Sequence, residues 1–403
     1  MAVLGAAFSA NKGAAAMLVA LIQNLPRRLG PCRFCVLTTF PTADAKEAKP
    51  GDVDIVDASP VKLVLMFLLA GLSRLLAPTG IDQRAFCLFP AMRRITEADV
   101  VVDMAGISFA DGRGLPTLAY NIVMTSTPLL LGRPVVKVAQ ALGPFEEPLN
   151  RLAAKAVLPH LSTICARGAR TEANLRELGL ENVIRAADLA FTMQPSDEDR
   201  RRAEQLLGTH VDSILVLPSE VVHRYARRQG RDYVATMASF VDSIAGQGHK
   251  VVLLPHSVRV GEGPGRMNDV PVCKQIYEQV TNKGSCLLIT DNLAPEVLRA
   301  VVASSSVVVT SRFHAMVSAL ATRTPVIVVG WSHKYQEVLD EFEITGCSLD
   351  HSQLERGLLI DRLDGVLARR EELVETIGRN LPAVRASALL SLDAVARAVS
   401  PSR

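Results

Sequence analysis

The sequence predicts an α/β protein of two Rossmann-like domains followed by a helical tail. Three observations predict it. Short apolar runs alternate with helix-length stretches along nearly all of the 403 residues, which is the pattern of doubly wound sheets. Those runs are aliphatic and uninterrupted, as in VVLLP and PVIVV, and strands covered on both faces of a parallel sheet need such a composition. The alternation pauses once, over the polar and helix-prone residues 195–210, and then restarts. The expected bodies are therefore 1–195 and 211–357, joined by that stretch, and a helical tail 358–403.

Composition agrees with this and excludes several function classes. Hydrophobic residues are 49% and charged residues 21%, enough apolar material for two cores and too little charge for disorder. Aromatics are only 4%, so the cores must be aliphatic. Lys plus Arg is 44 against 41 for Asp plus Glu, a net charge of +3. With no basic stripe interleaved with aromatics, a nucleic-acid partner is not expected. Any affinity for anions has to come from local clusters. The seven cysteines are odd in number and scattered through strand-like runs, as buried thiols in a reducing compartment are. Cys32 and Cys35 form a CxxC, but three residues apart on a strand they face opposite sides of the sheet. Core packing is the expected role. The N-terminus has no basic segment ahead of an apolar one, so no signal peptide is expected and the location expected is cytoplasmic.

In the first half, AVLGAAF is a strand and the stretch from Gly13 is a helix. CRFCVLTTF, ADVVVDMAG (98–106) and PVVKVAQALG (134–143) are further strands. A helix follows over 150–161, then the strand STICARG (162–168), a helix over 171–178 that Gly179 ends, and NVIRAADLAF. In the second half, SILVLPS, KVVLLPHS, CLLITD, SVVVTSRFH and TPVIVVGW are strands separated by helices. Two such halves with a helical tail suggest the glycosyltransferase-B architecture. Ligands bind beyond the carboxyl ends of strands in open α/β sheets, so the residues to inspect follow strands and would line a cleft between the halves.

The most apolar segment is VKLVLMFLLAGLSRLLA, residues 61–77. Its uncharged core from Leu63 to Leu72 is about 15 Å long as a helix, half the hydrocarbon thickness of a bilayer, so it does not span one. A helix apolar all round is usually buried. The alternative is a helix, flanked by Lys62 and Arg74, that touches the inner face of the membrane.

Five places after strands carry candidate chemistry. At SANKGAAAML, Asn11 and Gly13 turn the chain into a helix, whose exposed N–H groups attract anions; an ordinary turn capped by Asn11 explains the same residues. At DMAGISFADGRG, Gly106, Gly112 and Gly114 surround Asp111, which either takes a proton from a sugar hydroxyl or caps the next element; Asp103 is equally open. QALGPFEEP supplies the turn Gly143–Pro144. Arg167, at the end of its strand in ARGARTEANL, either points into the cleft or forms a salt bridge. The fifth place is TSRFHAMVSALATRTPVIVVGWSHKY. Ser311, Arg312 and His314 lie at a strand–helix junction, and the next strand delivers His333 and Lys334. An Arg fork suits carboxylate and phosphate, and His donates a proton near neutral pH. Cations at two strand ends point to an anion site. His256, after VVLLP, and the pair Asn268–Asp269 are further cleft residues with no assigned chemistry. His223, Arg224, Arg227, Arg228 and Arg231 read as a solvated helix face.

In this order the five blocks resemble the polysaccharide pyruvyl transferase family, from Asn11 to about Tyr335. SRFHAMVSALATRTPVIVVGWSHKY is similar to that family's S-R-x-H-A…P-V…K signature. DMAGISFAD, VAQALGPF, ARGARTEANLRELG and AADLAF are similar to its glycine-rich, G-P-F, Arg and Asp blocks. Ala105 stands where the glycine-rich block usually carries glycine. The resemblance implies a glycosyltransferase-B-like fold and phosphoenolpyruvate as donor substrate, with no other cofactor. It also implies a sugar acceptor, free or lipid-linked, that receives pyruvate as a ketal on two hydroxyls. In that chemistry His314 would be the acid or a phosphate ligand. Arg167 and Arg312 would anchor the donor, Lys334 would add a contact, and Asp111, with Asp103 behind it, would be the base. Converging Arg, His and Lys side chains could hold such an anion without a metal. The rivals are a nucleotide-sugar glycosyltransferase of the same architecture and a non-catalytic binder of acidic metabolites.

Overall fold

The computed structural model describes residues 1–9, 11–48, 53–258, 268–330 and 333–399, apart from the side chains of Gln83 and His333. They form two compact units. Among the described residues, unit 1 gathers 1–9, 17–192 and 385–399, and unit 2 gathers 11–16 and 193–384.

Unit 1 is built on seven parallel strands, β1 (Ala2–Leu4), β2 (Phe34–Thr38), β3 (Val53–Asp57), β4 (Val101–Asp103), β5 (Val135–Gln140), β6 (Thr163–Arg167) and β7 (Val183–Ala186), in the order β3-β2-β1-β4-β5-β6-β7. Unit 2 repeats the plan with six, β8 (Ile214–Leu217), β9 (Val251–Leu253), β10 (Cys286–Leu288), β11 (Val307–Thr310), β12 (Val326–Gly330) and β13 (Ser348–Asp350), in the order β10-β9-β8-β11-β12-β13. Each sheet winds one way from its first strand, then returns and winds the other way. The switch points fall between β1 and β4, where Leu4 pairs with Asp103, and between β8 and β11, where Leu217 pairs with Thr310. Ligands of this fold class bind beyond such points.

The short aliphatic runs read as strands are all strands. Two strands carried no such run. β3 reads VDIVD, with acids between partly buried aliphatics, and β13 has three residues. Both are edge strands, where full burial is not required.

Two expected boundaries move. Residues 195–210 do not form a separate link: Ser196 and Asp199 close a capping box on the helix Asp197–Leu207, which packs on the helix Pro295–Ala303 in unit 2. Arg299 of that partner helix donates from Nη1 to the carbonyl of Met193 at 2.6 Å. The tail is no separate body either. Leu359 and Leu363 are buried in unit 2. The long helix Arg370–Val399 buries Leu373, Ile377, Leu381, Val384, Ala388, Leu392 and Val395, one continuous stripe at helical spacing. Beyond Val384 the helix belongs to unit 1, where Asp393 pairs with Arg28 at 2.6 Å and Ser387 accepts from the Ala187 N–H at 3.1 Å.

The helix Pro60–Leu76 is apolar all round but not buried all round. Leu63, Met66, Ala70 and Ser73 face the core, and Val61, Leu65, Leu68, Leu72 and Leu75 are exposed.

Behind the switch point of unit 1 lies a fully buried ion pair between Lys137 and Asp103. On a regular strand, Lys137 and Gln140 would face opposite sides. The β5–β6 register shifts between them, and Ala139 takes φ 45°. This bulge turns both side chains onto Asp103: Gln140 donates to its Oδ1 at 2.8 Å and to its carbonyl at 2.6 Å. Ser108 donates to Gln140 Oε1 at 2.7 Å, and Lys137 also donates to Thr125 at 3.1 Å. Asp103 is thus committed to structure. It has no surface to offer a sugar hydroxyl, which corrects its expected reserve role as base. Lys137→Met should leave a buried carboxylate without its cation and cost about 3–5 kcal/mol. Denaturant unfolding checks this: the unit 1 transition moves to clearly lower denaturant, and an unchanged midpoint would contradict the network's role.

Candidate functional site

In unit 2 one carboxylate ties three strand ends together. Asp269 is fully buried. Its Oδ1 accepts the N–H of Glu220, after β8, at 3.0 Å, and its Oδ2 accepts the N–H of Ser257, after β9, at 2.9 Å. Arg312, after β11, closes the set by donating from Nε to Oδ2 at 2.8 Å and from Nη2 to Oδ1. Burial works against the guanidinium charge, yet the Asp269 carboxylate and its hydrogen bonds raise the Arg312 pKa above its ordinary value. Arg312 therefore stays a cation with a fixed fork. Its backbone N–H bonds Thr310 Oγ1 at 3.0 Å, which ends β11 and starts the helix Phe313–Ala321.

His314 sits in the first turn of that helix. A Cβ built on Gly13 would stand 2.0 Å from its Nδ1 and 2.4 Å from its Cγ, so the Gly13 backbone lies directly on the imidazole and only glycine fits. Asn11 shapes the approach: its Oδ1 accepts the Gly13 N–H at 2.9 Å, and its carbonyl accepts the Ala15 N–H. This is the capped turn, and it belongs to unit 2. Lys12, between them, is 2% exposed.

These elements meet around His256, itself 7% exposed. Burial lowers its pKa well below the ordinary value, and the charges of His314, Arg312 and Lys12 lower it further, in that order. His256 is therefore a neutral imidazole at neutral pH, among three groups that carry or can carry positive charge. Such a centre attracts a small anion.

The remaining unit 2 candidates have defined places. Ser311 is buried, and its carbonyl accepts the Tyr335 hydroxyl at 3.1 Å. Lys334 Nζ lies 5.1 Å from the Phe313 ring centroid and 5.4 Å from that of Tyr335, and Phe313 meets His314 edge to face at 5.2 Å. Lys334 is thus set against the aromatic side of the His314 turn. The side chain of His333 lies outside the described residues. His223 and Arg224 pair with Glu220 at 3.3 and 2.9 Å, a salt-bridged helix face.

In unit 1 the candidates build a loop scaffold. Arg167 is nearly buried, pairs with Asp188 at 2.8 Å and donates to the Gly106 carbonyl at 3.0 Å. It is neither a surface salt bridge nor an anchor turned outward; it holds the glycine-rich loop. Where a Cβ on Gly106 would point there is open space. Asp111 also turns out to be a cap. Its Oδ2 accepts the N–H groups of Glu146 and Glu147 at 2.6 and 3.2 Å, and its Oδ1 accepts Asn150 Nδ2 at 2.6 Å. These donors set the entry to the helix Pro148–Val157, which is the capping alternative, and the carboxylate remains partly exposed. A cavity of about 280 Å³ lies beside this loop, lined by Arg113, Leu115, Leu118, Asn121, Glu147 and Leu149 among others.

Lys12 and the linking role of Asp269 were not foreseen. The signal for Lys12 was faint: it is the one charged residue of the helix Lys12–Asn24. Asp269 was visible only as a cleft residue without assigned chemistry, because its three partners lie up to 49 residues away in sequence.

Two units, each built on a doubly wound parallel sheet, place the chain in the glycosyltransferase-B-like class. Solved structures share that fold. UDP-GlcNAc 2-epimerase from Neisseria meningitidis, bound to UDP-GlcNAc, matches with a TM-score of 0.62 at 12% identity, over 98% of this chain and 99% of that one. A putative UDP-N-acetylglucosamine 2-epimerase from Listeria monocytogenes matches with a TM-score of 0.63 at 14% identity, over 100% and 97%. The family follows from the sequence: residues 11–333 match the model of polysaccharide pyruvyl transferase, and the chain belongs to that family. It is also similar to the amylovoran biosynthesis protein AmsJ of Erwinia amylovora, 20% identical over 294 residues, 71% of this chain and 69% of that protein. The departure at Ala105 has a local explanation. A Cβ on Gly5 would come within 3.0 Å of the Ala105 Cβ, so the missing side chain at Gly5, across the switch point, leaves room for the methyl group of Ala105.

Gly13→Ala should displace the His314 ring and cut turnover at least about tenfold with the fold preserved, checked by kinetics beside circular dichroism; wild-type kinetics would contradict the contact. The pH dependence has a definite sign. Because folding lowers the His256 pKa, the unfolded chain binds more protons near its ordinary value of about 6.5. The stability gained is complete above that value and is lost as pH falls. His256→Gln should flatten the acid side of the stability–pH curve, and an unchanged slope would count against a buried neutral His256.

Proposed function

We propose that the chain transfers the three-carbon unit of phosphoenolpyruvate to two hydroxyls of one sugar in a cell-surface polysaccharide or its lipid-linked precursor. The observation that carries this reading is the junction at which Asp269 holds the Arg312 guanidinium and the N–H of Ser257, next to His256, while the Gly13 backbone, next to Lys12, lies on the His314 ring. A substrate bearing phosphate and carboxylate on one carbon needs such a set of donors.

The chemistry then runs as follows. His314 donates a proton to the methylene carbon, and positive charge develops at the central carbon. One sugar hydroxyl adds there and its proton returns to the His314 imidazole. The carbon–oxygen bond to phosphate breaks, and the second hydroxyl closes the ketal as its proton leaves on the departing phosphate. Phosphate and the ketal are the products. Lys12 and Arg312 hold the donor and stabilise the departing phosphate. Unit 1 is the acceptor side, with Gly106 and the cavity beside the loop of Asp111 as the region a sugar would meet. Arg167 acts there by positioning Gly106.

His314 gives a cleaner test than Arg312, because removing Arg312 strands the buried Asp269 and costs stability as well as binding. With phosphoenolpyruvate and a panel of glycosides, a coupled phosphate assay should show release that depends on the acceptor. His314→Gln should lower kcat by about 10²–10⁴ at unchanged thermal stability. Lys12→Met should weaken donor binding by roughly ten- to a hundredfold. Turnover of a nucleotide sugar with none of phosphoenolpyruvate would overturn the proposal.

A further inference from the structure

Among the described residues, every exposed large hydrophobic side chain except Val211 belongs to unit 1. Most of them lie in one segment. Val61, Val64, Leu65, Leu68, Leu72 and Leu75 are exposed on the helix Pro60–Leu76, and Ile81 and Leu88 follow it. Val61, Leu65, Leu68, Leu72 and Leu75 are spaced by four and three residues, so they form one ridge along the helix. Leu63, Met66, Ala70 and Ser73 anchor the opposite side to the core. A ridge of this size on a folded protein marks an interaction surface.

The charges say what kind of surface it meets. The helix Pro60–Leu76 carries two charged residues, Lys62 and Arg74. The helix Leu115–Leu130, against which it packs, carries none. Neither helix has an acidic residue. At about 100° per residue, Lys62 leaves about 100° to one side of the ridge and Arg74 about 140° to the other, and each is a long cationic side chain whose stem can lie on apolar surface while its charged end reaches outward. Lys62 pairs with Asp57 at 2.5 Å in an exposed bridge, which is worth little and is easily exchanged. Beyond the helix, Arg84 is exposed beside Asp82. With the turn that continues it to Thr79, the helix is 20 residues long and by length and composition alone could cross a bilayer, but Leu63, Met66, Ala70 and Ser73 already pack one side into the core of unit 1. The segment is built to lie in an interface.

We infer that unit 1 binds the surface of an anionic lipid bilayer through the ridge of Pro60–Leu76, with Lys62 and Arg74 at the headgroups. This attachment is independent of the reaction proposed above and is tested without turnover. The full chain is floated with vesicles of phosphatidylcholine alone and of phosphatidylcholine with phosphatidylglycerol, beside sedimentation of the protein by itself. The expected result is flotation with the anionic vesicles that weakens with salt, and at least about tenfold weaker binding of Leu65→Ser/Leu68→Ser/Leu72→Ser at unchanged thermal stability. Arg74→Glu/Arg84→Glu, on the surface and away from the core, should lose the preference for anionic lipid. Failure of the parent protein to float would overturn the inference. So would a triple variant that floats as well as the parent, or a parent dimer that the triple variant dissociates while neither binds lipid.

Discussion

The buried carboxylate of Asp269 is the constraint on which the unit 2 site depends. It receives N–H groups from the ends of β8 and β9 and the guanidinium that follows β11. A single side chain thus fixes three loops that have no sequence proximity. The guanidinium is held in one orientation, and the helix that starts with Phe313 presents His314 from a fixed place. Such pre-organisation is what makes a charged site effective, because the cost of orienting its dipoles is met during folding. Burial, and then the charges of His314, Arg312 and Lys12, depress the proton affinity of His256.

Unit 1 uses the same device on its own switch point. Asp103 is buried behind the glycine-rich loop and is held by Lys137 and Gln140, which only a bulged β5 could bring to one side. Arg167, with Asp188, fixes the loop from the other strand. Phe109 and Phe145, near this loop, take φ of 45° and 70°. Strain of this kind costs on the order of 1–3 kcal/mol per residue and persists where the surroundings over-determine the conformation. In both units the acidic residues organise the scaffold, and the groups suited to meet a ligand are cations, glycines and imidazoles.

The fold was legible because aliphatic runs have few alternatives in a protein so poor in aromatics. The central strands of both sheets follow from that signal. β3 and β13 escaped it because edge strands need not be buried. In the site, Arg312, His314 and His256 were legible from position alone, since each follows a strand. Asp103 was misread, and Asp111 was left open between two roles, for one physical reason. A carboxylate in a glycine-rich loop looks the same in sequence whether it faces a substrate or caps a backbone, and the partners that decide, Lys137 and Asn150, lie 34 and 39 residues away. The ridge of residues 61–77 was visible as composition, but which face is covered is a property of packing against the helix Leu115–Leu130.

The central claim is that unit 2 holds a site for a small, highly charged anion centred on His256, and the imidazole itself reports on it. The measurement is the chemical shift of the His256 ring across a pH series, with and without phosphoenolpyruvate. In the free protein the ring should remain neutral to well below its ordinary titration range. Phosphoenolpyruvate, by placing negative charge among Lys12, Arg312 and His314, should raise its apparent pKa. A ring that titrates normally and ignores phosphoenolpyruvate, or one that responds to UDP-GlcNAc in its place, would contradict the account.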